Sequence, residues 1–450
     1  MKKLIALLLA MVMVLGLAAC GAKEETAAPA ATEAAPAATE AAPAATEAAP
    51  EAEGEAEVLE FYHGYFHAES EWPAAKVMRD IYDAFAAQHA DGPVVFKPIA
   101  VENRAEITSN MVAGQSFPDI VDLGDTIPQA AIAQGLVLDL KPFIDENGLQ
   151  DAVGLNYTQN LVDGKIYTVH DQIETRGLWY NAAVLEKAGA SVADLATWEG
   201  FADTMAKVRA LNDGTYGYAA GQGSFKMMTA MLATVPGGDV VLNSELSADV
   251  INSEAFATAF KTIAKMDQDN GSAYTTDNVG NLMADFNANG MAAVLSNGVW
   301  NASGIAAEHA DDIQPMIFPG SVSMASAGTG ICISSGMSDA KTELALEFLK
   351  YMVSEEVQAK IFTGVQANPC NVTIDLNALA TESGDAILVK LADACAQANN
   401  ADTIIADVQY AWGSDVANII INALMECATA GTDIDGRFEL LQKELIALIG

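Results

Sequence analysis

The chain has 450 residues, 51% of them hydrophobic, which is enough for two domains of ordinary size, each with its own core. Its formal net charge is −38 with a pI near 4.2, a balance that repels phosphate backbones and anionic lipid headgroups and so argues against a nucleic-acid partner. Most of these carboxylates read as a solvated surface, and acidity alone selects no partner.

Met1-Lys2-Lys3 is a short positive segment, and Leu4 to Leu17 is a nearly continuous apolar run. The run is too short to span a bilayer comfortably and carries the flanks of an export signal. It ends in Leu17-Ala18-Ala19-Cys20, which resembles the lipobox of bacterial lipoproteins. That resemblance implies removal of residues 1–19 and attachment of lipid to the Cys20 thiol. Cys332, Cys370, Cys395 and Cys427 follow with no CxxC and no regular spacing, and read as small buried hydrophobes. Only Cys395 with Cys427 is a pair worth testing for a disulfide.

Residues 27–47 are three copies of AAPAATE, and AAPEAEG at 48–54 is a decayed fourth. A proline every seven residues breaks any helix, and nothing bulky is available to bury, so residues 20–56 read as an unfolded tether. A chain of about 37 such residues averages ~35 Å end to end and reaches ~115 Å as polyproline helix.

The folded body is expected to start near Glu57, where strands and helices begin to alternate. Val58 to Tyr62 reads as a strand. Pro73 marks a helix start, and Val77, Met78, Ile81, Tyr82 and Phe85 follow at helical spacing as one apolar stripe. Val94 to Pro98 and Ile120 to Leu123 are the next strands. This order predicts an α/β body with a mostly parallel sheet. Ser338-Asp339 opens a helix carrying Leu344, Leu346, Phe348, Leu349, Met352 and Val353. Ser354-Glu355-Glu356 caps another, and the last 40 residues are again helical.

Two clusters hold groups that bind or react. Phe61-Tyr62-His63-Gly64-Tyr65-Phe66-His67, then Glu69 and Glu71, follows the first strand, and ligands of open α/β sheets bind beyond strand C-termini. Aromatic faces there suit sugar rings, with polar edges for hydroxyls. His63 and His67 are four apart, but Gly64 and the strand-to-helix turn spoil the helical geometry a metal would need, so no metal is expected. Packing within one half of the molecule is the other reading of this cluster. His170, Asp171, Glu174 and Arg176 fall within seven residues. These are the side chains of acid–base chemistry and of metal binding; for Glu174 and Arg176 simple pairing along one strand face is the other reading.

Gly221-Gln222-Gly223-Ser224-Phe225 is glycine-rich, yet no Lys-Ser/Thr follows, so phosphate cradling is not supported and no cofactor is expected. Asp267-x-Asp269-Asn270-Gly271 has glycine one position too early for a calcium loop and reads as a helix-ending turn. There is no G-x-S-x-G and no H-E-x-x-H, and only five histidines. A tethered glycan hydrolase built on a carboxylate pair is the enzyme alternative. A binder of metal or peptide and a pure scaffold are the others.

An ordered series of segments resembles the extracellular solute-binding proteins of ATP-driven importers, family 1, over nearly the whole body. The segments are Ala113-Gly114-Gln115 with Phe117-Pro118-Asp119-Ile120; Gly135 to Leu140; Asp163-Gly164-Lys165-Ile166-Tyr167; and Leu178-Trp179-Tyr180-Asn181. Thr197-Trp198-Glu199-Gly200-Phe201 and Asn289 to Ala293 through Asn297-Gly298-Val299-Trp300 complete it. Thr168 stands where the family has glycine, and His170 near its usual proline.

The resemblance implies a two-lobed, periplasmic-binding-protein-like fold (type II) with ligand in the interlobe cleft. It assigns residues 57–168 and 321–366 to the first lobe, 169–320 and 367–450 to the second, with hinge strands near 168–172, 318–322 and 366–371. It places Trp300 on the ligand as a stacking ring, and adds Asp125, Gln222, Phe225 and Trp412 to the cleft beside Tyr62, His63, Tyr65, Glu71, Asp171, Glu174 and Arg176. Thr329 either faces that cleft or lies between glycines that let backbones pack closely. The implied function is that of a lipid-anchored, monomeric, non-enzymatic subunit outside the cell membrane, which binds a sugar or oligosaccharide and delivers it to a permease.

Overall fold

The computed structural model describes residues 56–103, 107, 109, 113–114, 116–123, 129–218, 222–270 and 279–450. Cys20, the repeats and Asp125 lie outside the described residues.

The first sheet is built from β1 (Glu57–His63), β2 (Val94–Ala100) and β3 (Ile120–Asp122), with α1 (Pro73–Gln88) between β1 and β2. Alternation decides which way β1 faces: Leu59, Phe61 and His63 point inward, whereas Glu60 and Tyr62 stay half-buried on the other face. Proline opens α1, and its stripe of Ala75, Met78, Ile81, Tyr82 and Phe85 is buried against the sheet. Phe61 meets Tyr82 edge-on at 4.9 Å, and Phe348 also at 4.9 Å.

The second sheet is built around β4 (Glu174–Asn181). After α2 (Trp198–Ala210) come β5 (Tyr216–Tyr218), α3 (Gln222–Leu232), α4 (Glu254–Asn270), β6 (Ala292–Gly298), β7 (Ile313–Met316) and β8 (Val322–Ser326). The strand β9 (Cys332–Ile333) then joins the first sheet, followed by α5 (Asp339–Met352). The chain finishes with α6 (Ala386–Asn399), β10 (Thr403–Ile405), α7 (Ser414–Cys427) and α8 (Ile434–Ile449). Ser338 caps α5 by accepting from the Lys341 amide, and Ser354 caps the following helix in the same way, as the sequence indicates.

The strand orders are β9-β3-β1-β2 and β10-β8-β4-β6-β5, with β7 also on β4. In the first sheet β1, β2 and β3 are parallel and β9 is antiparallel. The second sheet departs from the mostly parallel expectation, because β4 is antiparallel to β6, β7 and β8. The reason is connectivity: β4 carries the chain away from the first sheet and β8 carries it back. Each sheet has its own apolar core. Leu59, Phe61, Phe85 and Phe348 belong to one, and Leu178, Phe256, Met324 and Leu424 to the other. Trp179, next to Leu178, faces the opposite side of the second sheet, onto α6.

Three passages link the two sheets. The first is at 169–173. The return follows β8 at 327–331, where Val169 and Ile331 exchange backbone hydrogen bonds of 3.1 and 2.8 Å. At the third, Gln172 bridges to Pro369, and the Ile173 amide donates to the Asn368 carbonyl at 2.8 Å. The expected return at 318–322 is instead a tight turn, Phe318 to Val322, because β8 still belongs to the second sheet. Glycine permits the close crossing: a Cβ on Gly330 would sit 2.4 Å from the His170 Cα.

All four described cysteines are free and buried. Cys395 and Cys427 lie in different core clusters, so the pairing worth testing is not formed. The helix α4 runs to Asn270 and turns Asp267 into the core; Gly271 lies outside the described residues.

Candidate functional site

The passages leave from one end of the second sheet, and charged side chains gather at that end. Glu174 opens β4 and pairs in register with Ser326, the last residue of β8. Arg176, two residues on, lies on the same strand face as Glu174. Its Nη2 donates to Glu174 Oε2 at 3.0 Å, and its Nε lies 3.4 Å from Asp407 Oδ2. Asp407 is the N-cap of the short helix Val408–Trp412, and its own amide donates to Ser326 Oγ at 2.7 Å. From α3, the Lys226 ammonium pairs with Asp407 and donates to Gln409 Oε1 at 2.8 Å. Burial lowers the Lys226 pKa to about 8 against the opposing pull of Asp407.

Trp300 completes this group. The Arg176 guanidinium lies over its ring, 4.8 Å from the centroid. The ring occupies the side-chain space of Gly298, where a Cβ would fall 2.2 Å from two ring carbons. That contact explains the glycine two residues before the tryptophan. Trp300 remains partly exposed, with one side packed on the cluster of α6.

The first sheet contributes the loop after β1. Tyr65 Oη accepts from Gln172 Nε2 at 3.2 Å, which fixes the loop to the first passage. Its ring lies 5.2 Å from that of Trp72, which is 37% exposed. Arg79 holds the loop by donating to the Tyr65 and His67 carbonyls, each at 2.7 Å. Asp171, in the passage, is buried; Oδ1 accepts from Gln172, and Oδ2 has no hydrogen-bond partner. Burial raises its pKa, opposed by His170, whose Nε2 is 3.9 Å away.

Of the residues that the sequence singles out, Glu174, Arg176 and Trp300 form one contact group, and Tyr65 and the buried Asp171 both bond Gln172 in the first passage. Others lie elsewhere. His63 is 2% exposed and packs among Phe61, Tyr65 and Tyr82, so it is a core residue. Its Nδ1 accepts from the Tyr65 amide, and burial, with Arg79 nearby, lowers its pKa to about 4. Tyr62 turns to the opposite sheet face, donates to Glu60 at 2.9 Å, and lines a surface hollow of about 540 Å³ with Phe117 and Lys341. Phe225, near the start of α3, is wholly buried, and Trp412 packs on Phe256 with 8% exposure; both belong to the second core rather than to a cleft. Their neighbours in space come from α4 and α7, which the local motif does not contain. Gln222 is exposed at the start of α3, and Glu71 is exposed beside His67 at 3.5 Å.

Lys226, Asp407, Gln409 and Gln172 are missed by the sequence reading. A lone lysine in Phe225-Lys226-Met227-Met228 is a usable signal, since a buried lysine requires a partner. Asp407 gives none beyond capping. Among the described residues no group of three or more His, Cys, Asp or Glu side chains is placed to hold a metal.

A family model for bacterial extracellular solute-binding proteins matches residues 80–385. A Streptococcus pneumoniae solute-binding protein solved with blood group A-trisaccharide is 45% identical, with a TM-score of 0.79 over 87% of this chain and 100% of that one. A chitin oligosaccharide binding protein shares the fold at 20% identity and a TM-score of 0.67, over 87% of this chain and 98% of that one. The arabinooligosaccharide-binding protein of Bacillus subtilis (strain 168) is 30% identical over 115 residues, 23% of this chain and 24% of that protein. The chain thus matches about a quarter of that curated relative's length.

Proposed function

Because the chain belongs to the bacterial extracellular solute-binding proteins, we propose that it captures a saccharide between its two halves and delivers it to an importer's membrane permease. The observation that carries this reading is Trp300, a partly exposed ring under the guanidinium of Arg176, which Glu174 holds, where the passages leave the second sheet. Such a group offers an apolar face for a sugar ring and charged edges for its hydroxyls. The saccharide-bound relative at 45% identity supports the same class of ligand.

In this mechanism ligand enters an open cleft and touches both halves, so it favours the closed state by its extra contacts there. Tyr65 and Gln172 hold the loop of the first half at the passage, and Arg176, Glu174 and Trp300 face it from the second. The three passages flex, and Gly328, at φ +68° beside His170, supplies one adaptable position. The closed form then docks on the permease. No bond is made or broken by this chain, and the importer's ATPase supplies the energy.

Anchoring belongs to the same proposal. The positive start, apolar run and Leu17-Ala18-Ala19-Cys20 support lipid at Cys20, and the AAPAATE repeats support a tether that lets a monomeric body move near the membrane. Small-angle scattering of the purified protein with a bound saccharide tests closure. The expected result is a smaller radius of gyration, and an unchanged curve at saturation would sink the two-state mechanism.

A further inference from the structure

Four charged side chains meet at the cleft end of the second sheet, and they cancel. Glu174 and Asp407 supply two negative charges, Arg176 and Lys226 two positive ones. Each lies in an ion pair: Arg176 Nη2 bonds Glu174 at 3.0 Å and its Nε lies 3.4 Å from Asp407 without a hydrogen bond, and Lys226 pairs with Asp407 and donates to Gln409 at 2.8 Å. Lys226 and Asp407 are each 2% exposed, so this pairing is built into the protein rather than left to solvent. On the opposite side Arg79 is spent on two backbone carbonyls, and Asp171 adds a buried carboxyl with an unpartnered oxygen.

We infer that the cleft selects an uncharged saccharide over one carrying a carboxylate, an inference that rests on the saccharide reading above. On the second-sheet side a carboxylate meets no cation that lacks a carboxylate partner among the described residues, because Arg176 and Lys226 are both held by carboxylates, while Arg79 on the other side already donates to two carbonyls. The entering carboxylate would have to lose water beside Glu174 and Asp407, or pull Arg176 from the partners it holds. Hydroxyl groups face no such penalty. The Arg176–Glu174 pair presents donors and an acceptor side by side, and charge-assisted bonds to hydroxyls leave both ions in place. The net charge of −38 adds a long-range field that disfavours anionic sugars before contact.

Calorimetric titration of the purified protein tests this with two sets of probes. The neutral set is blood group A-trisaccharide, raffinose and 2′-fucosyllactose; the acidic set is 3′-sialyllactose and trigalacturonate. The expected result is binding within the neutral set and at least about tenfold weaker binding of both acidic probes. Glu174→Gln removes one negative charge at nearly constant shape. It should narrow that gap several-fold while the thermal midpoint stays close to that of the parent. An acidic probe that binds as tightly as the best neutral one overturns the inference and leaves the saccharide reading intact. An unchanged gap in Glu174→Gln also overturns it, since the charge balance would then set no preference. If neither set binds, the saccharide reading fails and the inference falls with it.

Discussion

Arg176 holds its guanidinium 4.8 Å from the centre of the Trp300 ring while bonding Glu174 at 3.0 Å. The ring is thus fixed from two directions, by the cation on one strand and by the missing side chain of Gly298 on the next. Arg176 and Gly298 are register partners across β4 and β6, so the three residues form one unit. A sugar face laid on such a ring meets a surface that is already ordered, which lowers the entropy cost of binding.

Trp300→Ala should weaken saccharide binding by about 1–3 kcal/mol, roughly 5- to 150-fold, with a smaller effect on stability because the ring is only partly buried. Trp300→Phe should recover part of the loss. Paired titrations and thermal melts separate the two effects.

Gly298→Ala should mimic Trp300→Ala although the tryptophan is still present. The added methyl would lie 2.2 Å from the ring carbons, so the ring must move and Arg176 loses its seat. Overpacking of this kind costs about 1–3 kcal/mol of stability. Full retention of affinity would show that the ring's position is unimportant to the ligand.

His63 gives the first half a pH dependence of defined sign. Its folded pKa is near 4, below the ordinary value of 6.5, because burial disfavours the charged ring. The folded state therefore binds fewer protons than the unfolded state between these values. Stability is unaffected above pH 6.5 and falls as pH drops toward 4, by roughly 3 kcal/mol in the limit. In His63→Gln, melts across this window should show a flatter profile.

Asp267 acts with the opposite sign in the second half. Tyr218 and Ser224 both donate to Oδ1, at 2.6 and 2.8 Å, and Oδ2 has no partner. Burial raises the pKa to about 7, so the folded state retains a proton that the unfolded state releases near 3.8. This contribution is complete below pH 3.8 and is lost as pH rises to about 7. Asp267→Asn keeps an acceptor without the acid. It should match or exceed the parent's midpoint at pH 8, and lose the slope between pH 4 and 7.

Phe225→Ala and Trp412→Ala should each cost about 3–5 kcal/mol of stability, as core truncations do. Denaturant melts measure this. Affinity measured well below the midpoint should change far less than in Trp300→Ala.

Local signals were legible in the sequence wherever a residue and its consequence are neighbours. Pro73 opens α1, and Ser338 and Ser354 cap the helices that they precede. Asp163-Gly164, with φ of 52° and 76°, makes the tight turn between Leu161–Val162 and Lys165–Ile166, a local signal that the sequence reading takes only as part of a family segment. The division of aromatics between core and cleft was not legible, because it depends on partners distant in the chain. Trp412 is buried by Phe256, and Lys226 meets Asp407 across 181 positions. The return passage was misplaced for the same reason. Nothing local in Phe318 to Val322 distinguishes a turn within one sheet from a crossing between two, and only the pairing of β8 with β4 decides it.

The most direct test is a thermal-shift screen of the purified protein against mono- and oligosaccharides, amino acids, peptides, polyamines and divalent metals. A ligand at about 1,000 times its dissociation constant adds about 4 kcal/mol and raises the midpoint clearly. A saccharide is expected to do so, and the rise to be lost in Trp300→Ala. A midpoint raised by a metal, peptide or amino acid and by no saccharide would contradict the saccharide reading.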